Sequence, residues 1–369
     1  MFKFRLIFTL LFFSFGTSLF AATNTTSLEK MAGNMLMVGF HGTSARPGSQ
    51  ICEDIRRYHL AGVILFDFNP VDKSQPKNIV NKAQLKQLTS ELQACSRDHK
   101  LLIAVDQEGG RVQRLKNKYG FYGRYPKAIE MLNMDYKGIR DTYRQMAKEL
   151  RSVGINYDLA PVVDLAINPD NLVIYGLGRS FGGTPKEVVY CASIFVQNMR
   201  SEGIVTALKH FPGHGSSTGD THKGFVDVTV QWKKSELVPY RAMIRQGRVD
   251  TVMAAHVFNK NIDPSYPATL SQETINVLLR QKLGFRGVVI TDDLQMGAIS
   301  KKYGLKNTLR LAINAGDDIL LFGNQLDPKK VVSTKTLVDT IVTLVKSGDV
   351  TIDTIKKANS RIDKLKKRL

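Results

Sequence analysis

The sequence has little cysteine and no segment that divides it. Cys52, Cys95 and Cys191 are its only cysteines among 369 residues, too few and too scattered for a disulfide-built scaffold or a cysteine zinc cluster. In an oxidising compartment one pair could form a bridge, and the sequence leaves open which pair. There is no low-complexity linker or internal repeat, so we expect one domain with a large core.

Signatures of metal and nucleotide binding are missing from the most suggestive stretch, KHFPGHGSSTGDTH from Lys209 to His222. His210 and His214 are four residues apart, but Pro212 and the glycine after it prevent the helix that would align them. The stretch also lacks the glycine patterns that cradle phosphates, and nothing in the chain resembles a nucleic-acid-binding module. We therefore predict no metal, no cofactor and no nucleic-acid partner.

Acidic residues are outnumbered, 33 against 52 basic ones, which gives a formal net charge of +19. Residues 1–22 combine Lys3 and Arg5 with an apolar run and small residues, a pattern typical of a signal peptide. A retained membrane anchor is the alternative, although the run is short for a span. We expect residues 23–369 to be exported to the periplasm or secreted, near an anionic envelope polymer.

The basic C-terminal tail, residues 352–369, is the other segment that could contact a membrane. Its isoleucines and leucines recur at helical spacing, which favours a surface helix packed on the body over a membrane-binding helix.

Eight short apolar runs alternate with amphipathic stretches, which predicts an α/β fold with a parallel sheet. The runs cover residues 36–40, 62–66, 101–106, 156–165, 204–211, 250–257, 287–294 and 318–323. Ionisable residues follow many different runs, whereas a doubly wound sheet would concentrate them at one switch point. We therefore predict a single-domain (β/α)8 TIM-type barrel with its site at the C-terminal mouth.

Two groups in this arrangement suggest acid/base chemistry. A glycine-rich loop ends in Asp220 and His222, and a carboxylate beside an imidazole orients the ring and lets it serve as a proton donor. Asp292 follows the seventh run, where a buried carboxylate needs a role or a partner. The alternatives are that Asp220 and His222 form a solvated pair in a loop and that Asp292 or Asp293 caps the next helix. A carboxylate nucleophile and a proton donor together are the parts of retaining glycoside hydrolysis.

Several segments in order resemble the bacterial β-N-acetylhexosaminidases of glycoside hydrolase family 3. They are VDQEGGRVQR (105–114), NYDLAPVVDL (156–165), GRSFG (178–182), KHFPGHGSSTGDTH (209–222), MAAHV (253–257) and ITDDLQM (290–296). The KHFPGHG segment followed by Asp-x-His is specific to the hexosaminidase branch. The resemblance implies a retaining exo-β-N-acetylglucosaminidase that needs no cofactor.

The resemblance also implies a role for each matching residue. Asp292 corresponds to the nucleophile, His222 to the general acid/base and Asp220 to its partner. Hydroxyl-binding positions of the N-acetylglucosamine unit correspond to Asp106, Arg114, Arg179, Lys209 and His210, although each of these could singly be a structural ion pair or cap. We expect His214 and His256 to be structural.

The sequence leaves four questions open. A β-glucosidase or other exo-glycosidase of the same family is the alternative activity, and phosphate is an alternative acceptor to water. Typical single-domain relatives recycle cell-wall fragments in the cytoplasm, whereas the apparent signal peptide here suggests muropeptides or chitin-type oligosaccharides outside it. The oligomeric state is not predicted.

Overall fold

The strands follow the predicted order along the chain. The computed structural model describes residues 25–369, so the predicted signal peptide lies outside the described residues. The described strands are β1 (Leu36–Gly39), β2 (Gly62–Ile64), β3 (Leu102–Val105), β4 (Tyr157–Asp158), β5 (Val205–Phe211), β6 (Val226–Asp227), β7 (Thr251–Ala254), β8 (Val257–Phe258), β9 (Val288–Thr291) and β10 (Leu320–Phe322).

Eight of these strands form one parallel sheet in the order β10-β1-β2-β3-β4-β5-β7-β9, while β6 and β8 pair separately. A parallel bridge between Ile290 and Ile319 joins the two edges, so the sheet closes into a barrel. The strands of the barrel are buried along their whole length, as expected when side chains fill the interior and helices cover the outside. The predicted (β/α)8 barrel is confirmed.

The fourth strand is shorter than the predicted run over residues 156–165. Only Tyr157 and Asp158 pair with the neighbouring strands, and Pro161 has no N–H to continue the ladder. Pairing with β5 reappears as one bridge between Val162 and Lys209. The rest of the run therefore forms the barrel mouth rather than its wall.

Helices alternate with the strands and surround the barrel. They are α1 (25–33), α2 (Gln50–Tyr58), α3 (Lys82–Cys95), α4 (Tyr136–Ser152), α5 (Pro185–Ser201), α6 (Val238–Arg245), a π-helix (Glu273–Lys282), α7 (Gly297–Ser300), α8 (Leu305–Ala315), α9 (Thr334–Lys346) and α10 (Ile352–Lys366). Short 3₁₀ turns lie at Asn117–Tyr119, Ala128–Asn133, Lys234–Leu237, Ala268–Leu270 and Pro328–Lys330.

Local sequence sets the helix starts. The side chain of Asn81 accepts the N–H of Gln84 at the start of α3. Thr184 and Glu187 form a reciprocal capping box at the start of α5, which satisfies backbone groups that the first turn leaves without partners.

The C-terminal helix α10 packs on the body, as its spacing predicts. Ile355, Ile362 and Leu365 are buried, whereas Ile352 is 38 % exposed and lies outside the packed face. The ammonium group of Lys366 is also buried and donates to the side chain of Asn34. Protein therefore covers the apolar face of this basic helix, and no helix within residues 25–369 has the length and apolar character of a membrane span.

One cysteine pair is bonded. The disulfide joins Cys52 in α2 to Cys95 in α3, which resolves the pairing that the sequence left open. Cys191 is a free buried thiol in α5.

Candidate active site

Every predicted site residue lines one cavity of about 370 Å³ at the C-terminal mouth of the barrel. Asp106 follows β3, Lys209 and His210 end β5, and Asp292 follows β9. Because the C-terminal ends of parallel barrel strands meet at one mouth, residues far apart in sequence converge there. The remaining members come from loops and are Arg114, Arg179, Asp220 and His222.

Asp292 is held rigidly by backbone contacts. Its N–H donates to the carbonyl of Ala254 at 3.0 Å, and its Oδ1 accepts the N–H of Asp293 at 2.8 Å. Burial opposes ionisation of Asp292, but the nearby imidazoles, first that of His256, outweigh this effect and lower its pKa. An ionised carboxylate in a cavity of limited water access is a competent nucleophile.

Asp293 and His256 support the turn that follows Asp292. Asp293 accepts the N–H of Gln295 at 3.0 Å, and burial raises the pKa of its carboxyl to about 6. The Nε2 of His256 lies 2.9 Å from the carbonyl of Asp293 and must donate to it, since a carbonyl only accepts. Asp293 thus stabilises the turn, but neither aspartate caps the following helix, whose N-cap residue is Met296 without a side-chain cap, so that alternative is wrong. Both ring nitrogens of His256 are engaged, with Thr269 and with the carbonyl of Asp293.

A network of largely buried ion pairs lies at the same cavity. Asp106 contacts Arg114 and Lys209, both at 3.0 Å. Glu108 contacts Lys209 at 2.7 Å and binds Arg179 through two hydrogen bonds of 2.8 Å each. The forked Arg179–Glu108 pair fixes the guanidinium plane as well as its position.

The network keeps its members charged. Burial opposes ionisation of Lys209, but Glu108 and Asp106 outweigh it and raise the pKa of this ammonium group. Burial likewise opposes ionisation of Asp106, but Lys209 and Arg114 lower the pKa of its carboxyl. Lys209 therefore cannot act as a base near neutral pH, and the cluster instead offers fixed donors and acceptors for hydroxyl groups.

His210 is oriented by Asp164, a residue that the sequence did not assign. The ring Nδ1 lies 2.7 Å from Asp164 Oδ2, and Asp164 Oδ1 accepts the backbone N–H groups of His210 and His214. The other ring nitrogen, Nε2, lies 3.5 Å from Arg179 on the cavity side. Sequence reasoning assigned no role to Asp164 or Glu108, because each acts through a contact with another site residue. The available signals were the position of Asp164 near the end of the fourth apolar run and that of Glu108 inside the segment VDQEGGRVQR.

The base of the loop after β5 is clamped from two sides. Glu236 accepts the N–H of Gly215 at 2.9 Å and the hydroxyl of Ser216 at 2.5 Å. Asn171 donates to the carbonyls of His214 and Gly215. Burial raises the pKa of Glu236 to about 7 and lowers that of His214 to about 4. His214 is thus a neutral brace for the loop.

The tip of the same loop carries the predicted acid. His222 Nδ1 lies 2.9 Å from Asp220 Oδ1, and the same oxygen accepts the N–H of His222. This contact leaves His222 Nε2 for proton transfer. Both side chains line the cavity, and the imidazole is about half exposed while the carboxylate is 28 % exposed.

The tip of the loop packs against α7, the short helix that follows the turn at Asp292 and Asp293. The N–H of Gly297 donates to the carbonyl of His222, and the N–H of Ala298 donates to that of Thr221, both at 3.2 Å. Lys301 adds a hydrogen bond to the carbonyl of Lys223 at 2.9 Å. These contacts set the position of the imidazole relative to Asp292.

The arrangement therefore combines an ionised carboxylate, an imidazole paired with a second carboxylate, and a rigid polar cluster suited to hydroxyl groups. On a TIM-type barrel these are the parts of a glycoside hydrolase.

Comparison with known proteins agrees with this class. The sequence profile of the glycosyl hydrolase family 3 N terminal domain matches residues 27–365. A Beta-hexosaminidase of Xylella fastidiosa (strain M23) is 36% identical over 303 residues, which is 78% of this chain and 82% of that protein. The chain belongs to glycosyl hydrolase family 3.

Solved structures show the same fold. A glycoside hydrolase family 3 beta-N-acetylglucosaminidase from Paenibacillus sp. superposes with a TM-score of 0.82 at 34% identity; the match covers 92% of this chain and 62% of that one. Beta-N-acetylhexosaminidase from Beutenbergia cavernae gives 0.81 at 28% identity, covering 92% and 98%. This chain thus spans under two thirds of the Paenibacillus protein but nearly all of the Beutenbergia one.

Proposed function

We propose that this chain is a retaining exo-β-N-acetylglucosaminidase that removes terminal N-acetylglucosamine from glycans. The observation that carries the proposal is the convergence of Asp292 with the Asp220–His222 pair at one cavity. Relatives that match most of this chain are named as hexosaminidases, and their activity supports the sugar assignment.

In the first step, Asp292 attacks the anomeric carbon as the glycosidic bond breaks. The leaving oxygen takes a proton from Nε2 of His222, and the sugar remains bonded to the Asp292 carboxylate. Asp220 stabilises the ring by accepting the Nδ1–H at 2.9 Å, so the proton that moves is the one on Nε2.

In the second step, the neutral imidazole takes a proton from a water molecule. The resulting hydroxide oxygen bonds to the anomeric carbon, and the Asp292 carboxylate leaves. Two displacements at one carbon restore the β configuration, which is why the reaction retains stereochemistry.

The buried ion-pair network provides the sugar-binding surface in this proposal. Asp106 and Lys209 present one acceptor and one donor group, and Arg179 is fixed by Glu108. Hydrogen bonds from such fixed charges to hydroxyl groups are strong where water is scarce. Truncating this network should therefore weaken sugar binding as well as turnover.

We place the enzyme outside the cytoplasm, acting on muropeptides or chitin-type oligosaccharides. The N-terminal sequence pattern supports export, and so does the Cys52–Cys95 disulfide, because such bonds persist mainly in oxidising compartments. Cell fractionation with a catalytic-activity readout tests the location; a full-length, reduced chain in the cytosol would overturn it.

A side-by-side assay tests the activity. Purified enzyme is given aryl β-N-acetylglucosaminide, β-glucoside and β-xyloside, with and without phosphate, and the released sugar is identified. We expect cleavage of the N-acetylglucosaminide with free sugar as the product. Preference for the glucoside would identify the alternative glycosidase, and a sugar phosphate product would identify a phosphorylase.

Two variants assign the roles. Asp292→Ala should nearly abolish turnover, and substantial residual activity would remove it from the mechanism. His222→Ala should impair substrates with poor leaving groups far more than activated aryl substrates. Equal losses for both kinds of substrate would argue against a proton donor at this position.

A further inference from the structure

A second cluster of ionisable side chains lies at the opposite end of the barrel from the active site. His59 follows α2 and precedes β2, while Asp98 and His99 lie between α3 and β3. Their ligand atoms all lie within 4.8 Å of one another. The connections before parallel strands meet at the N-terminal end of the barrel, so this cluster is separate from the catalytic cavity.

The distances within the cluster fit a shared ion. His59 Nε2 lies 3.3 Å from Asp98 Oδ2, and His99 Nδ1 lies 3.1 Å from Asp98 Oδ1. Bonds of about 2.0–2.2 Å to a tetrahedral metal place neighbouring ligand atoms roughly 3.3–3.5 Å apart. One carboxylate oxygen of Asp98 thus faces a nitrogen of each ring at close to this spacing.

The hydrogen bonding of His99 is incomplete without a cation or an extra proton. Its Nε2 faces the carbonyl of Leu60 at 3.1 Å, and its Nδ1 faces the carboxylate of Asp98. Both partners are acceptors, whereas a neutral imidazole has one N–H. If Nε2 donates to Leu60, a lone pair on Nδ1 points at a negative oxygen.

A backbone contact fixes the orientation of the His99 ring. A ring N–H anchored on a backbone carbonyl, as His99 is on Leu60, is the usual outer contact of a metal-binding histidine.

His59 is held in an unusual backbone conformation. It caps α2 with φ 54° and ψ 49°, and its N–H donates to the carbonyl of Ile55. Residues other than glycine are uncommon in this left-handed region. His59 and Asn324 are the two non-glycine residues with positive φ in the part of the chain that the structure describes. A glycine would satisfy the cap but would remove the imidazole.

The two helices that precede the cluster residues, α2 and α3, are covalently linked. The Cys52–Cys95 disulfide joins α2 to α3, and the segments that follow these two helices carry the three side chains. This covalent link limits how far His59 can separate from Asp98 and His99.

We propose that His59, Asp98 and His99 form a binding site for a divalent ion such as zinc. The bound ion would link the C-terminal ends of α2 and α3. His59 Nε2, the Asp98 carboxylate and His99 Nδ1 are the protein ligands, and water completes the coordination, since Asp98 is 61% exposed. Imidazole and carboxylate together suit zinc and its neighbours better than calcium or magnesium.

Binding requires a small rearrangement. The two rings are nearly parallel, at 8°, with centroids 4.9 Å apart, so one ring must turn for both lone pairs to point at one ion. Lys30 and Lys366 add positive potential near His59, which weakens the site relative to one with four protein ligands. The proposed role is structural and does not involve the catalytic reaction.

Zinc titration of the tag-free mature chain tests the proposal by calorimetry and by thermal unfolding. The wild-type chain and His222→Ala should each bind one zinc ion and show the same rise in Tm; His222→Ala removes the exposed imidazole at the active site as a competing ligand. His59→Asn and His99→Gln should each weaken binding at least tenfold and lose the rise in Tm. Asparagine suits the left-handed backbone at position 59, so this variant keeps the cap.

The controls separate binding from folding. Without zinc, the His59→Asn and wild-type chains should unfold at similar temperatures and hydrolyse an aryl substrate equally well. Absence of zinc binding to the wild-type chain would overturn the proposal. So would binding that persists in both cluster variants but disappears in His222→Ala.

Discussion

We expect the substitution Gly297→Ala to lower catalytic activity while it leaves the stability of the chain nearly unchanged. Its N–H donates to the carbonyl of His222, and it starts the helix on which the loop tip docks. A Cβ atom built on Gly297 would lie 2.9 Å from the carbonyl oxygens of both His222 and Lys223. The backbone of Gly297 does not have positive φ, so alanine is compatible with its conformation.

The size of the effect follows from these distances. Ordinary contacts of a Cβ atom begin near 3.4 Å, so the loop tip must retreat by about 0.5 Å or leave its docked position. Misplacing a catalytic group by about 1 Å can cost roughly 100-fold in rate. We expect Gly297→Ala to lower kcat/KM about 10- to 100-fold for a substrate with a poor leaving group. Stability should change little, because alanine is favoured over glycine in a helix by about 0.5–1 kcal/mol.

The assay compares kcat/KM for chitobiose and for an activated aryl N-acetylglucosaminide, together with Tm. The loss should be smaller for the activated substrate, which needs less help from His222. Gly224→Ala is the matched control, because it lies just beyond His222, has no positive φ, and its added Cβ would have no atom within 4 Å. Equal activity of Gly297→Ala and Gly224→Ala would refute docking as the basis of His222 placement.

Three further predictions concern the stability of the fold. The wild-type chain should lose about 3 kcal/mol of unfolding free energy between about pH 4.5 and about pH 7, because burial raises the pKa of the Glu236 carboxyl to about 7 and each pKa unit corresponds to about 1.4 kcal/mol. Glu236→Gln should remove this loss. Glu108→Gln should lower the unfolding free energy by about 3–5 kcal/mol, because it leaves Arg179 and Lys209 with unbalanced buried charge. Reducing the Cys52–Cys95 bond should lower it by up to about 4 kcal/mol.

Chemical denaturation measures all three. The sign for Glu236 follows from its raised pKa: the folded chain binds the proton more tightly than the unfolded chain, so stability is highest below about pH 4.5 and falls as pH rises. Parallel pH profiles for Glu236→Gln and the wild type would contradict the assignment. Glu273, whose side chain is exposed, provides the control for loss of a carboxylate. A Cys52→Ser/Cys95→Ser chain should not respond to reductant.

The fold was predictable because its signals are local. Each barrel strand is a short apolar run in the sequence. Because these runs alternate with amphipathic helices, only a few fold architectures are compatible with the pattern. Asp106 and Asp292, which directly follow buried strands, and Lys209, which lies near the C-terminal end of β5, were recognisable for the same reason. Polar residues at these strand ends point to the barrel mouth. The fourth strand was overestimated because apolar composition does not reveal where the ladder stops.

Contacts between distant segments were not predictable. Glu108 and Asp164 act through Arg179, Lys209 and His210, so their importance depends on a geometry that spacing does not reveal. Glu236 lies beyond the loop after β5 in the sequence and contacts the base of that loop only in the folded barrel. The bonded cysteine pair and the His59–Asp98–His99 cluster likewise join segments that only the fold brings together.

The central claim is that Asp292 forms a covalent bond to the sugar. A fluorinated N-acetylglucosaminide with a good leaving group slows the second step, and peptide mass analysis then locates the trapped sugar. We predict one sugar per chain, bonded to the carboxylate of Asp292 and absent in Asp292→Asn. A sugar attached to another residue such as Asp293, or turnover of the probe with no covalent species in the wild-type chain, would contradict the account.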